Sequence, residues 1–239
     1  DSSIKSANEG GLKEKNVQDL FGRSTKSKTD LKITLMNDKK INLSIKKSLA
    51  GQVYLIGVDR FINGFEIQFR CKVPQNIKRS FKLFFAGAED ASKIIENTKL
   101  KMIIEKKKKK IKEYEIRKKR ITWITLQEYD LELSNAFIKW FKDNINNIFL
   151  FCFERGLSKN KSEWADFVWY KNELEENSFD AIFNIKRISE KINNKKFKTM
   201  IVPGKTLGGT TIQLPFGFVQ WHQGQIQFHH NLDLMRKIL

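Results

Sequence analysis

Two short runs of strict period-two alternation, separated by a polar turn, constrain this chain most. In DLKITLM, Leu31, Ile33 and Leu35 share one face. In INLSIKKS, Ile41, Leu43 and Ile45 share one face, and Asn42, Ser44 and Lys46 share the other. The intervening NDKK turns the chain, so the pair predicts a β-hairpin. The pattern then changes period. VDRFINGFEIQF spaces Val58, Phe61, Ile62, Phe65 and Phe69 by three and four residues, which predicts a helix. PQNIKRSFKLFFAG predicts another, with Pro74 in its first turn and Gly87 at its end, and residues 88–98 extend as a further helix. Upstream, GLKEKNVQDLF places Leu12, Lys15 or Asn16, Val17 and Leu20 or Phe21 on a helical period, with Gly22 closing the helix and RSTKSKT following as a basic loop.

Farther along, LELSNAFIKWFKDNINNIFLFCFERG predicts a helix from Leu131 through Phe153. Residues 162–173 are aromatic and fit a loop or a helix, with Trp164, Trp169 and Tyr170 in core or groove packing. The segment at about 210–230 alternates around Gly224 and predicts a terminal hairpin carrying Gln220, His222, Gln223, Gln225 and Gln227. No internal repeat is present. A chain of 239 residues fits one domain, here residues 1–239, with a basic insertion at about 99–120.

Charge narrows the partner. The chain carries 45 Lys and Arg against 27 Asp and Glu, a formal charge of +18. With 40% apolar residues and 19 Phe it folds despite that self-repulsion, so a polyanion is the expected partner, nucleic acid first and an anionic membrane surface second. Residues 99–120 hold twelve basic and three acidic residues. They read either as a solvated lysine-rich face or as a surface for backbone phosphates. No apolar run is long enough to span a bilayer. The start, DSSIKSANEGG, lacks the pattern of a signal peptide and an initiator Met, as a trimmed chain would. The two cysteines, Cys71 and Cys152, are far apart and read as buried thiols, which fits a cytoplasmic setting.

The hairpin carries the chemistry. Phosphodiester hydrolysis needs oxygen ligands for a divalent cation and a nearby cationic group beside the attacking water. Asp30 opens the first strand, and the turn brings it beside the end of the second. Ser44 and Lys46 lie two apart and share a face, with the Ile45 carbonyl between them.

This arrangement resembles the PD-(D/E)xK nuclease superfamily, to which most type II restriction endonucleases belong. Thr29-Asp30 matches the first half-motif, Ser44-Ile45-Lys46 the second, and the upstream helix with Glu14 and Gln18 the family's first helix. The resemblance covers roughly residues 10–70. It implies a mixed α/β fold with a central mixed sheet flanked by helices, with the helix from about residue 58 packing on the sheet. It implies Mg²⁺, with Asp30, the Ile45 carbonyl and Glu14 as metal ligands and Lys46 positioning or activating water. Thr29 stands where the family often has Pro, and Ser44 where it usually has Asp or Glu. A hydroxyl is the weaker ligand. Either Glu14 enters the site, or one carboxylate and the Ile45 carbonyl suffice, or the chain is inactive.

By resemblance the role is restriction of foreign duplex DNA in a bacterial cytoplasm, by a homodimer cutting a short symmetric site. Candidate DNA contacts are Arg23, Lys26, Lys28 and Lys47, the segment with Lys159 and Lys161, and Gln223 and Gln225 on the terminal hairpin. Two alternatives remain: a repair or junction-resolving nuclease of the same fold, and a non-catalytic nucleic-acid-binding protein. Three other signals fail. GKT at 204–206 lacks the earlier glycine of a phosphate-binding loop, because Thr199 stands there. His222, His229 and His230 lack companions at zinc spacing and read as ordinary polar positions. Glu66 reads as a solvated helix residue.

Overall fold

The computed structural model describes residues 3–10, 17–25, 27–85, 88–91, 93–94, 121–173 and 178–239. Its strands are β1 (Ile4–Glu9), β2 (Leu31–Leu35), β3 (Lys40–Lys46), β4 (Ala50–Gly57), β5 (Phe167–Asn172), β6 (Phe179–Asn184), β7 (Thr211–Leu214), β8 (Gly217–His222) and β9 (Gln225–Asn231). The helices are α1 (Val58–Phe69), α2 (Gln75–Phe84), α3 (Trp123–Tyr129), α4 (Leu131–Asp143), α5 (Ile145–Leu150), α6 (Ile185–Ile192), α7 (Lys195–Lys198) and α8 (Leu232–Ile238).

The chain is a mixed α/β protein. One sheet runs β1-β2-β3-β5-β6, with β3 and β5 parallel and every other pair antiparallel. The second sheet, β4-β9-β8-β7, is antiparallel throughout. The terminal hairpin thus sits beside β4 as part of a second sheet. The chain crosses from the first sheet to the second directly after Lys46, through residues 47–49. That crossing places the end of β3 against β9.

The predicted hairpin forms as β2 and β3, with Leu31 opposite Leu43 and Ile33 opposite Ile41. Helix α1 buries Val58, Phe61, Ile62 and Phe65, the stripe that its spacing predicts. Phe61 joins the layers: its ring lies 5.3 Å from Phe81 of α2, 5.2 Å from Phe151 and 5.5 Å from Phe228 of β9. Phe81 continues the cluster to Phe137 of α4 at 4.9 Å. Each such ring contributes roughly 1.5–3 kcal/mol by leaving water. The predicted 131–153 helix is interrupted at Asn144, whose amide nitrogens both bond the Trp140 carbonyl at 3.0 Å. It resumes as α5, passes through a wide turn at Phe151–Arg155, and ends at Gly156.

Three expectations are corrected. Residues 17–21 are not helical: Gln18 pairs with Ser24 across a tight turn, and Gly22 holds φ 74° within it. The buried Asp19 carboxylate drives that turn by accepting the Phe21 and Arg23 amides at 2.8 Å each and by pairing with Arg60. Residues 11–16 lie outside the described residues, as do Gly87 and the basic segment 99–120. The 162–173 segment is largely strand β5, with Val168 and Tyr170 buried on one face. Glu66 is not solvated: it accepts the Val73 amide at 2.8 Å and pairs with Lys78 at 2.9 Å, fastening α1 to α2.

Candidate active site

Asp30, Ser44 and Lys46 come together at the ends of β2 and β3. The Asp30 amide bonds the Leu43 carbonyl at 2.7 Å, which fixes the aspartate at the mouth of the hairpin. Its Oδ2 accepts the Ile45 amide at 2.7 Å and the Ser44 hydroxyl at 3.3 Å. Lys46 Nζ donates to Ser44 Oγ at 2.8 Å and lies 3.4 Å from the Ile45 carbonyl. A lysine, a hydroxyl and a carboxylate therefore form one hydrogen-bonded line. Asp30 is exposed while Ser44 is buried, so the line runs from the interior to the surface. Both of these bonds fall on Oδ2, and among the described residues none falls on Oδ1. Glu14 and Lys26 lie outside the described residues.

Lys46 is partly buried. Burial pushes its ammonium below the ordinary lysine range, and the neighbouring Asp30 opposes that shift. Two interior groups back onto it: Tyr170, expected in core or groove packing, and His230, whose burial the sequence reading did not anticipate. Tyr170 stands directly opposite Lys46 on β5, and its ring meets His230 of β9 at 5.2 Å. His230 is 2% exposed, and burial together with Lys46 and His229 pushes it down to about 4. This corrects the reading of His230 as an ordinary hairpin position. Neither Tyr170 Oη nor His230 Nδ1 has a partner among the described residues. The alternation Val168, Tyr170 in FVWY was the available signal for this face.

Lys28 is also misplaced by sequence reasoning. It does not extend into a basic loop. Its Nζ donates to the Val53 carbonyl at 3.3 Å and sits 3.8 Å over the Tyr54 ring. Burial and the like charge of Lys46 push it down to about 7. Gly156 makes room for it: a Cβ there would approach Lys28 Cε to 2.9 Å, and the residue holds φ 55°. No local pattern links Lys28 with Tyr54 and Gly156.

The other predicted DNA contacts fall in three places. Arg23 is exposed on the 17–25 turn, which bonds the loop carrying Lys159 and Lys161: Leu20 donates to the Leu157 carbonyl at 3.0 Å and Lys159 to that of Gln18 at 3.3 Å. These three basic residues therefore share one exposed corner. Lys47 is exposed just beyond the hydrogen-bonded line. Gln223 lies in the β8–β9 turn and Gln225 opens β9. Among the described residues no cluster of three or more His, Cys, Asp or Glu is placed to hold a metal.

The fold is similar to that of a solved restriction endonuclease. That solved structure is of restriction endonuclease MspI in complex with its cognate DNA, compared at a TM-score of 0.48 and 14% sequence identity over 94% of this chain and 69% of that one. No family model matches the chain, and none of the curated proteins does. A likeness this remote assigns no residue, so the chemistry rests on the side chains described above.

Proposed function

We propose that the chain is a Mg²⁺-dependent endonuclease that hydrolyses phosphodiester bonds of duplex DNA and acts in restriction as a homodimer. The single observation that carries this reading is the line Lys46–Ser44–Asp30, at 2.8 and 3.3 Å, on a chain of charge +18.

The oxygens at this edge suit Mg²⁺ by type. The ion takes one or two protein carboxylates and keeps waters and phosphate oxygens for the rest, so a dense cluster is not required. Asp30 and the Ile45 carbonyl would hold it, with Glu14 as the second carboxylate. When bound, the ion polarises the scissile phosphate and lowers the pKa of its water. The chain supplies the remainder. The Ile45 amide and the Ser44 hydroxyl hold the Asp30 carboxylate in one orientation. Ser44 also fixes Lys46, so the serine at this position serves as a bridge and not as a ligand. Lys46 orients the attacking water and offsets the charge that grows on the phosphate. Lys28 adds a second cation behind it. Arg23, Lys159 and Lys161 on one corner, and Lys47 on the other side, contact backbone phosphates.

The test is Mg²⁺ binding by calorimetry together with cleavage of plasmid DNA. Asp30→Asn should lose both Mg²⁺ heat and strand scission. Unchanged Mg²⁺ binding in Asp30→Asn would remove Asp30 from the metal site.

A further inference from the structure

The four strands of the second sheet contain no Asp, Glu, Lys or Arg, in a chain that is 30% charged. Their inward side chains, including Ile56, Val219, Ile226 and Phe228, are buried in the core. The outward ones include, beside Leu55, Phe218 and His222, three amides and an imidazole joined across three strands. Gln227 Nε2 donates to Gln52 Oε1 at 2.7 Å. Gln220 Nε2 donates to Gln227 Oε1 at 2.9 Å and lies 3.3 Å from His229 Nε2. The His229 ring stacks on Phe218, centroids 4.3 Å apart and 10° from parallel. Burial, with the nearby His222, holds His229 below its ordinary range, and its Nε2 lies within hydrogen-bond reach of the Gln220 amide.

This ladder sets which end of each amide turns outward. Gln52 has its oxygen engaged, and Gln220 its nitrogen. The side chains are thereby ordered before any ligand arrives, which lowers the entropic cost of binding. The surface has no cation for phosphates. Phe218 is the aromatic ring on this face, and it is covered by the His229 ring. Amide ends in fixed orientation match base edges: the Gln52 nitrogen can donate to adenine N7 and the Gln220 oxygen can accept from adenine N6, and the major groove admits a β-ribbon. The face adjoins the catalytic corner. Gln52 follows Lys46 by six residues, within about 20 Å of extended chain. His230 alternates to the inner face of β9, opposite His229, so the link runs along β4: Val53, next to Gln52, accepts from Lys28 at 3.3 Å, and Lys28 feels the charge of Lys46.

We propose that Gln52, Gln220, Gln227 and His229 form the base-reading face of the protein and recognise adenine in the major groove of duplex DNA. The inference rests on the duplex-nuclease reading. It narrows the Gln and His positions of the terminal hairpin to one ladder and extends it onto β4 through Gln52.

The test equilibrates Lys46→Met protein with duplexes randomised over about twelve base pairs and sequences the bound fraction. Gln220→Leu and Gln52→Leu are each combined with Lys46→Met and treated alike. The Lys46→Met protein should enrich a short motif containing adenine, and each glutamine variant should lose preference at that adenine. Replacing it with 7-deazaadenine should weaken binding by Lys46→Met protein about tenfold. A motif without adenine, or one kept intact in both glutamine variants, overturns the ladder assignment and leaves the nuclease reading standing. So does conversion of a dimer to a monomer by either variant with the motif kept, because the face is then a contact between copies. No salt-sensitive retention of any duplex by Lys46→Met protein overturns the duplex reading itself.

Discussion

Lys46 donates to Ser44 at 2.8 Å, and the same hydroxyl donates onward to Asp30 at 3.3 Å. The serine thus couples the cation to the carboxylate. Ser44→Ala keeps both charged groups but frees Lys46 to rotate. We expect kcat to fall by about 10- to 100-fold with KM for DNA little changed, since the lost interaction matters as charge develops. Single-turnover cleavage measures this. An equal fall in Ser44→Ala and in Ser44→Thr, which retains a hydroxyl, would count against the bridge.

Lys28 is buried against Tyr54 and the Val53 carbonyl, and its charge costs stability. With its pKa pushed down to about 7, the folded state loses its proton before the unfolded chain does. That penalty is full below about pH 7 and disappears as pH rises toward the ordinary lysine value. Lys28→Met, without divalent metal at pH 7, should therefore stabilise the fold by about 2 kcal/mol while lowering cleavage. Denaturant unfolding at pH 7 and pH 10 checks the sign: the gain should shrink at the higher pH.

Gly156→Ala tests the same pocket from the other side. The positive φ is strained for alanine, and the new methyl would press on Lys28 and Tyr54. A loss of about 1–3 kcal/mol in urea unfolding is expected. An unchanged midpoint would show that Lys28 does not occupy this position.

How much of this was legible follows from how local each signal is. The β2–β3 hairpin, α1 and the Asp30–Ser44–Lys46 grouping are written within about forty residues of chain, where alternation and turn chemistry decide the outcome. Strand β5 was missed because Trp169 and Tyr170 suggested packing before periodicity. Its role is set by parallel pairing with β3, more than a hundred residues away in sequence. Lys28 looked like one more basic loop residue because Tyr54 and Gly156 meet it only in the fold. The turn at 17–25 defeated a helical pattern through Asp19, whose buried carboxylate gathers two amides and Arg60. Helix propensity has no access to that tertiary partner.

His230 gives a pH signature. Its folded pKa of about 4 lies below the ordinary value of 6.5, with Lys46 and Tyr170 facing it from the first sheet and His229 beside it on β9. The stability held by the neutral ring is full above pH 6.5 and is lost as pH falls from there through 4. About 3 kcal/mol is at stake. His230→Phe should flatten the acid limb of the stability curve measured between pH 4 and pH 7.

Tyr170→Phe removes a buried hydroxyl that has no partner among the described residues. We expect a gain of about 1 kcal/mol in thermal or denaturant unfolding. A comparable loss would mean that an ordered water bonds the hydroxyl.

The central claim is that Lys46 and Asp30 stand together to cleave DNA. The most direct measurement incubates long duplex DNA and Mg²⁺ with the parent protein and with Lys46→Ala. Discrete fragments from the parent and intact DNA from the variant are predicted. Intact DNA from both, with salt-sensitive binding retained, would contradict the claim and leave a nucleic-acid-binding protein in which Ser44 marks a site without catalysis.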